Sequence, residues 1–144
     1  MGGRALNGLL MDTHVLVWLL NGEDRLSAKT IESITHAAEH DMLYVSAISV
    51  WEIAMLVSKG RLSLDRDVGE WIQQALSQPG IHLASLTPDI SVASTRLPWE
   101  CHPDPADRII VATARHLGVT LVTEDLLLLG YATHGHFQAR QASR

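Results

Sequence analysis

The sequence predicts an α/β fold in which a mainly parallel sheet is covered by helices on both faces. Short, continuous apolar runs alternate along the chain with longer segments of helical character, which is the order of elements in parallel-sheet proteins. Apolar residues make up 47% of the chain and charged residues 19%, so there is enough apolar material for a packed core. The length of 144 residues fits one domain.

Glycine and capping residues delimit the elements of the first half of the chain. Asn21 and Gly22 end the first helix, Ser27 is a suitable N-cap for the second, and Gly60 follows the third. The strand segments are short and without polar alternation, which is typical of strands buried on both faces. These signals predict strands over residues 9–11 and 43–45 and helices over residues 13–20, 27–39 and 47–58.

Proline, glycine and aspartate delimit the elements of the second half. Gly80 follows an amphipathic helix, a further helix ends near Pro98, and Gly118 stops a strong helix that Asp104 caps. These signals predict helices over residues 68–76, 90–96 and 104–117, and strands over residues 81–86, 119–122 and, last, about 131–137. The domain is therefore expected to span residues 9–137, between flexible segments at 1–8 and 138–144.

The charge and the single cysteine narrow the classes of function. Eleven Lys and Arg against 16 Asp and Glu give a net charge of −5, which disfavours a basic surface for nucleic acid or membrane binding. Cys101 alone can form neither an internal disulfide nor a multi-thiolate zinc site, so a reducing cytoplasm is expected. Asp12 and His14 interrupt the apolar segment 9–20, and no membrane span is predicted.

Two carboxylates follow predicted strands directly. Asp12 follows the first strand, and Asp125 follows the strand that contains Leu121 and Val122. The carboxyl ends of parallel strands meet at one edge of the sheet, where the functional crevice of such folds lies. Each aspartate could also simply cap the next helix, but two of them at one sheet edge favour a site.

Glu52 is the only charged residue between positions 42 and 58. Its helix is apolar nearly all round, which predicts burial against the core on one side and against a partner chain on another. A partly desolvated carboxylate in that setting needs hydrogen-bond partners or a metal. The alternative is that Glu52 points to water through a gap.

Asp107 lies at the third position of the helix that Asp104 caps and Pro105 opens. At helical spacing it shares a stripe with Ile110 and Ala114, so we expect Asp107 to face the crevice. We expect Asp104 mainly to cap, with a possible supporting role at the site. Arg108 could hold a phosphate, although pairing with a nearby acid is the preferred interpretation.

Asp12, Glu52, Asp107 and Asp125 would repel one another if gathered at one crevice, and could not all stay ionised without a cation. Mg²⁺ or Mn²⁺, which prefer oxygen ligands, would relieve this repulsion. The set contains neither the paired cysteines nor the closely spaced histidines of a zinc site. One or two such ions can activate water and stabilise an in-line displacement at a phosphodiester.

Four segments of the chain together resemble a known family. Residues 10–14, 45–54, 104–112 and 121–125 contain the four acids in the order and at the spacing of PIN-domain ribonucleases, and resemble most closely the VapC-type toxins of type II toxin–antitoxin pairs. The resemblance extends from about residue 9 to about residue 131. One departure is the polar character of residues 131–137, where these proteins have a clearer apolar last strand.

This resemblance implies a three-layer α/β/α sandwich and a Mg²⁺-dependent endoribonuclease, in which Mn²⁺ can substitute. The acidic site of the family matches Asp12, Glu52, Asp107 and Asp125, all as catalytic residues and metal ligands. Its supporting hydroxyls match Thr13 and Thr123, and Asp104 and Arg108 are further supporting candidates. The implied partners are an RNA substrate, a cognate antitoxin and a second copy of the chain, in the cytoplasm of a bacterium.

Other interpretations remain open from the residues alone. The fold could serve as a non-catalytic binding module, or the same chemistry could act on DNA. A phosphotransferase with Asp12 as nucleophile is disfavoured, because position 14 is His and the only lysines, Lys29 and Lys59, come early. His14 could act as a general base, but a core position is the preferred interpretation. Trp51 and Trp71 are expected in the core or at an interface.

Overall fold

The computed structural model describes residues 8–98 and 104–144. In chain order these residues form β1 (Leu9–Met11), α1 (Thr13–Leu20), α2 (Ala28–Glu39), β2 (Leu43–Ser46), α3 (Ala47–Ser58), α4 (Val68–Leu76), β3 (Ile81–Ala84), α5 (Pro88–Ser94), α6 (Pro105–Leu117), β4 (Thr120–Thr123), α7 (Leu126–Ala132) and β5 (Gln138–Gln141). Every strand pair is parallel, and the strand order is β3-β2-β1-β4-β5.

Helices cover both faces of this sheet and form the predicted three-layer α/β/α sandwich. Leu9 and Met11 of β1 face one apolar cluster, which includes Ile34 of α2 and Trp71 of α4. Leu10 faces the other cluster, which is built around α6 and α7. This alternation along β1 follows from the strand's period of two, and it confirms the predicted fold class.

The C-terminal region differs from the sequence prediction. The strand predicted at about 131–137 is wrong, because the chain there ends α7 and turns. Residues 138–141, predicted as a flexible tail, instead pair with β4 as β5, and Ala142 is fully buried. An edge strand is held by backbone hydrogen bonds and needs no apolar run. The polar residues Gln138 and Arg140 therefore gave no strand signal in the sequence.

Smaller differences concern element ends. Thr87 caps α5, which therefore begins at Pro88 and ends at Ser94, two residues earlier than predicted at each end. The predicted flexible segment 1–8 lies outside the described residues except for Gly8, which is buried and whose carbonyl accepts a hydrogen bond from the Thr120 amide. Within the described residues, no helix is long and apolar enough to cross a membrane.

Candidate active site

An acidic cavity of about 350 Å³ lies at the carboxyl ends of β1 and β4. The structure brings all four predicted site acids to this cavity, together with Thr13 and Asp104 of the supporting set. The described residues that line it are Asp12, Thr13, His14, Val15, Trp18, Glu52, Asp104, Asp107, Glu124 and Asp125. Four chain segments that are remote in sequence therefore place their acids in one space.

Asp12 combines both roles considered for it, because it caps α1 and lines the cavity. Its Oδ1 accepts a hydrogen bond of 2.8 Å from the Thr13 amide, and its Oδ2 accepts one of 2.6 Å from the Thr123 hydroxyl. Only 9% of the residue is exposed. Burial raises the pKa of Asp12, and the two hydrogen bonds oppose that rise only in part.

Glu52 is held at the cavity by the first residue of α1. The Thr13 hydroxyl lies 2.6 Å from Glu52 Oε1 and 2.9 Å from the Ser49 hydroxyl. A hydroxyl has one proton to donate, so Thr13 donates to the carboxylate and accepts from Ser49. Burial raises the pKa of Glu52, and the negative charge of Asp12 raises it further, against the effect of the Thr13 hydrogen bond. The Glu52 carboxylate is therefore half-buried and hydrogen-bonded, and the alternative in which it simply points to water is wrong.

The carboxyl group of Asp107 has a strongly raised pKa. Burial, together with the negative charges of Asp12, Asp104, Asp125 and Glu52, raises its pKa from 3.8 to about 8. Asp107 therefore takes up a proton at neutral pH unless a cation offsets these charges. This is the electrostatic signature of a site that gathers more negative charge than it can hold alone.

Asp125 and Thr123 link the end of β4 to the site. Asp125 caps α7, since its Oδ1 accepts hydrogen bonds of 2.8 and 3.1 Å from the amides of Leu127 and Leu128. The Asp125 amide in turn donates to the Thr123 hydroxyl over 3.0 Å, and this hydroxyl donates to Asp12. Thr123 thus fixes Asp12 relative to the turn that carries Asp125.

The two remaining supporting candidates differ in position. Asp104 caps α6 through a 2.8 Å hydrogen bond from the Ala106 amide, and it also lines the cavity. Arg108 is directed elsewhere: its Nε donates to the backbone carbonyl of Ser94 in α5 over 3.0 Å. Among the described residues Arg108 forms no ion pair with an acid, and its pairing with an acid outside them stays a prediction.

Two further residues, His14 and Glu124, show what the sequence analysis missed. His14 is exposed and lines the cavity, so the preferred core position is wrong; only its neighbours on α1 face the core. Trp71 is buried in the core, and Trp51, for which an interface position stays a prediction, is 55% exposed. Glu124 also lines the cavity, and both of its oxygens accept hydrogen bonds from Gln141 and Ser143. The position of Glu124 between Thr123 and Asp125 is the sequence feature that could have predicted its place at the cavity.

Burial raises the pKa of Glu124, but the hydrogen bonds from the two C-terminal residues outweigh burial and lower it overall. Glu124 is therefore an ionised acid that ties the end of the chain to the rim of the cavity. Its charge is satisfied by these donors.

The donor set fits a hard divalent cation. All acidic groups at the cavity are carboxylates, and oxygen ligands suit Mg²⁺ and Mn²⁺. Among the described residues, no three Asp, Glu, His or Cys side chains already form a closed metal-binding group. Mg²⁺ does not require one, because it is usually bound by one or two carboxylates and keeps several waters. The raised pKa of Asp107 supplies the electrostatic reason for a cation there.

Comparisons with known proteins identify the family to which the chain is similar. The PIN domain profile matches residues 9–129. The chain is 38% identical over 117 residues to Ribonuclease VapC22 of Mycobacterium tuberculosis, covering 81% of this chain and 86% of that protein.

Solved structures share the fold at low sequence identity. The crystal structure of VapBC2 from Rickettsia felis, bound to a DNA fragment from its promoter, matches with a TM-score of 0.67 and 15% identity over 92% of this chain and 97% of that chain. A toxin–antitoxin complex from Klebsiella pneumoniae matches with a TM-score of 0.54 and 21% identity, over 82% and 87% of the two chains. Fold, profile and sequence identity together show that the chain belongs to the PIN-domain family, among its VapC-type members.

Proposed function

We propose that this protein is a divalent-metal-dependent endoribonuclease that serves as the toxin of a toxin–antitoxin pair. The observation that carries the proposal is the convergence of Asp12, Glu52, Asp107 and Asp125 on one cavity. Burial, together with the negative charges of the neighbouring acids, raises the pKa of Asp107 to about 8. A binding module would have no reason to maintain this electrostatic cost, whereas a metal site gains affinity from it. The name of the 38% identical relative supports RNA as the substrate.

The chain's own residues have distinct tasks in this proposal. Asp12 and Asp107 hold Mg²⁺ or Mn²⁺ directly, and Glu52 and Asp125 complete the negative charge directly or through water. Thr123 and Thr13 orient the carboxylates of Asp12 and Glu52, respectively. When bound, the ion supplies activation of a water molecule and neutralisation of charge at the phosphodiester. A water nucleophile that attacks phosphorus and displaces the ribose 3′-oxygen would leave 5′-phosphate and 3′-hydroxyl ends, which are the ends that the family resemblance implies, and no cyclic phosphate.

The experiment is to incubate the purified, antitoxin-free chain with a mixed RNA pool in Mg²⁺, in Mn²⁺ and in EDTA. Asp12→Asn is the test variant, and Asp24→Asn, an exposed acid in the loop after α1, is the matched control. We expect cleavage that requires metal, disappears in Asp12→Asn and persists in Asp24→Asn. Full activity of Asp12→Asn would refute the site.

Parallel incubations with single- and double-stranded DNA separate a ribonuclease from a nuclease that prefers DNA. Calorimetry with Mg²⁺ and Mn²⁺ separates both from a non-catalytic module. Failure to bind either ion would favour the non-catalytic alternative, and preferential cleavage of DNA would replace the substrate in the proposal.

The expected protein partners are a cognate antitoxin and a second copy of the chain. The antitoxin is inferred from the structural neighbours, of which one is itself described as a toxin–antitoxin complex.

The homodimer is inferred from Trp51 on α3, a large apolar side chain that is 55% exposed one residue before Glu52. Light scattering of the wild-type chain and of Trp51→Arg tests the homodimer, since the charge should give monomers. We place the activity in the bacterial cytoplasm, where the RNA is.

A further inference from the structure

One face of α1 presents two aromatic rings to the acidic cavity. His14 and Trp18 are four residues apart, which puts them on the same side of the helix. Both line the cavity, and their ring centroids are 6.2 Å apart at an angle of 46°. The tasks assigned above to the carboxylates and threonines use neither ring.

The Trp18 ring is held in place before any ligand arrives. Its partly buried side chain packs against the apolar cluster on that face of the sheet. The guanidinium carbon of Arg25, in the loop after α1, lies 5.1 Å from the ring centroid, within the range of a cation–π contact. A preorganised ring loses little conformational entropy when a planar ligand stacks on it.

His14 is exposed by contrast with its neighbours. Thr13, Val15, Leu16 and Val17 are all at most 2% exposed, so α1 is otherwise a core helix at this point. His14 is the residue of this turn that faces outward, and it faces the cavity. The position along the helix matters as well: Trp18 is six residues beyond Asp12, a rise of about 9 Å at 1.5 Å per residue.

An RNA strand that approaches this cavity needs an anchor other than charge. The chain has a net charge of −5, and the cavity is lined by six carboxylate residues. Stacking on an aromatic ring does not depend on net charge and accepts any base, since every base has a π-face. Only an unpaired base can stack in this way, because a paired base is covered by its neighbours in the helix.

We propose that His14 and Trp18 form a stacking subsite for one unpaired nucleobase next to the scissile phosphate. This inference rests on the proposed ribonuclease function and adds to it a binding site for a base, formed by the aromatic face of α1. Asp12 at the start of α1 would bind the phosphate only through the cation that it holds, whereas Trp18 further along the helix contacts a neighbouring base directly. The helix itself sets the spacing between them.

The test measures binding by fluorescence anisotropy in Mg²⁺, with the full chain carrying Asp107→Asn to prevent cleavage. Two labelled probes are compared: a short single-stranded RNA of mixed sequence, and an abasic ribose-phosphate chain of the same length. We expect Trp18→Leu to weaken binding of the RNA by about 5- to 100-fold and to change binding of the abasic chain less than about twofold. Trp18→Phe, which keeps a ring, should retain most of the affinity.

Leu86→Ala is the control, since it shortens an exposed apolar side chain that does not line the cavity. Thermal melting of each variant checks the fold. Equal losses on both probes would show that Trp18 acts through the fold and would overturn the subsite. Unchanged binding of both probes would also overturn the subsite and would favour a role for the Trp18 ring in binding a protein partner. Absence of RNA cleavage by the wild-type chain would refute the proposed function separately, because this comparison needs no cleavage.

Discussion

Replacing Asp107 by asparagine should stabilise the metal-free protein at alkaline pH. Burial and the surrounding acids raise the pKa of this group from 3.8 to about 8. A group whose pKa is higher in the folded state favours folding most at low pH. Stability is then lost as the pH rises from about 4 through about 8, because the folded state must give up a proton that it binds more tightly than the unfolded chain does. Asparagine carries no such charge and avoids this loss.

The expected gain in the free energy of unfolding of Asp107→Asn follows from three contributions. The 4.2 pH units between 3.8 and about 8 correspond to at most about 5.7 kcal/mol, at 1.36 kcal/mol per unit. Asp107 is only half-buried, and solvent screening reduces this to about 2 kcal/mol. Asparagine also loses the favourable interaction of an acid with the first turn of α6, about 0.5 kcal/mol. The net gain is about 1–2 kcal/mol, or roughly 3–6 °C in Tm.

The assay is thermal unfolding followed by circular dichroism in EDTA, at about pH 5 and about pH 8.5. Asp107→Asn should melt above the wild type at the higher pH, and the difference should shrink at the lower pH. Mg²⁺ should reduce the difference by binding the wild type. Asp24→Asn should show no such pH dependence. A lower Tm for Asp107→Asn at about pH 8.5, or the same difference at both pH values, would refute the electrostatic reasoning.

Three further variants test other parts of the structure. Thr123→Val removes the 2.6 Å hydrogen bond to Asp12 and should cost about 1.5–3 kcal/mol in urea unfolding, with Thr123→Ser recovering most of it. Glu124→Ala removes the acceptor for Gln141 in β5 and should speed amide hydrogen exchange in that strand. The pKa of Glu124 is lowered in the folded state, so the wild type should lose this protection against exchange as the pH falls through that pKa. Gly80→Ala places a Cβ 2.0 Å from a backbone oxygen of α2 and should lower the free energy of unfolding far more than Gly118→Ala does. A Cβ at Gly118 meets nothing within 4 Å, so that variant should lose only about 1–2 kcal/mol because of its positive φ. Equal losses of stability in the two variants would contradict this.

The four acids could be predicted from sequence because each carries a local signal. Asp12 and Asp125 follow apolar strands, and Asp107 begins a helix whose apolar stripe it shares. Glu52 is conspicuous as the lone charge of an apolar helix. Parallel topology then places strand ends and helix starts at one edge of the sheet, so their meeting at one cavity required no knowledge of individual contacts.

The residues that sequence reasoning missed depend on contacts between distant segments. The direction of His14 is decided by which side of α1 packs on the sheet, and α1 is so uniformly apolar that its sequence barely distinguishes the two sides. The role of Glu124 depends on Gln141 and Ser143, which reach it only because β5 pairs with β4. The edge strand β5 itself lacks the apolar run by which buried strands are recognised.

The sequence by itself determined the alternation of elements, their caps, the parallel sheet and the identity of the four acids. Periodicity, turns and capping act over a few residues, so they can be read along the chain. Only the tertiary structure decided the pKa of Asp107, the hydrogen bond from Thr123 to Asp12 across 111 positions, and the aromatic face beside the acids. Burial and charge–charge interactions depend on distance in space, and chain folding brings these groups together from segments that carry no information about one another.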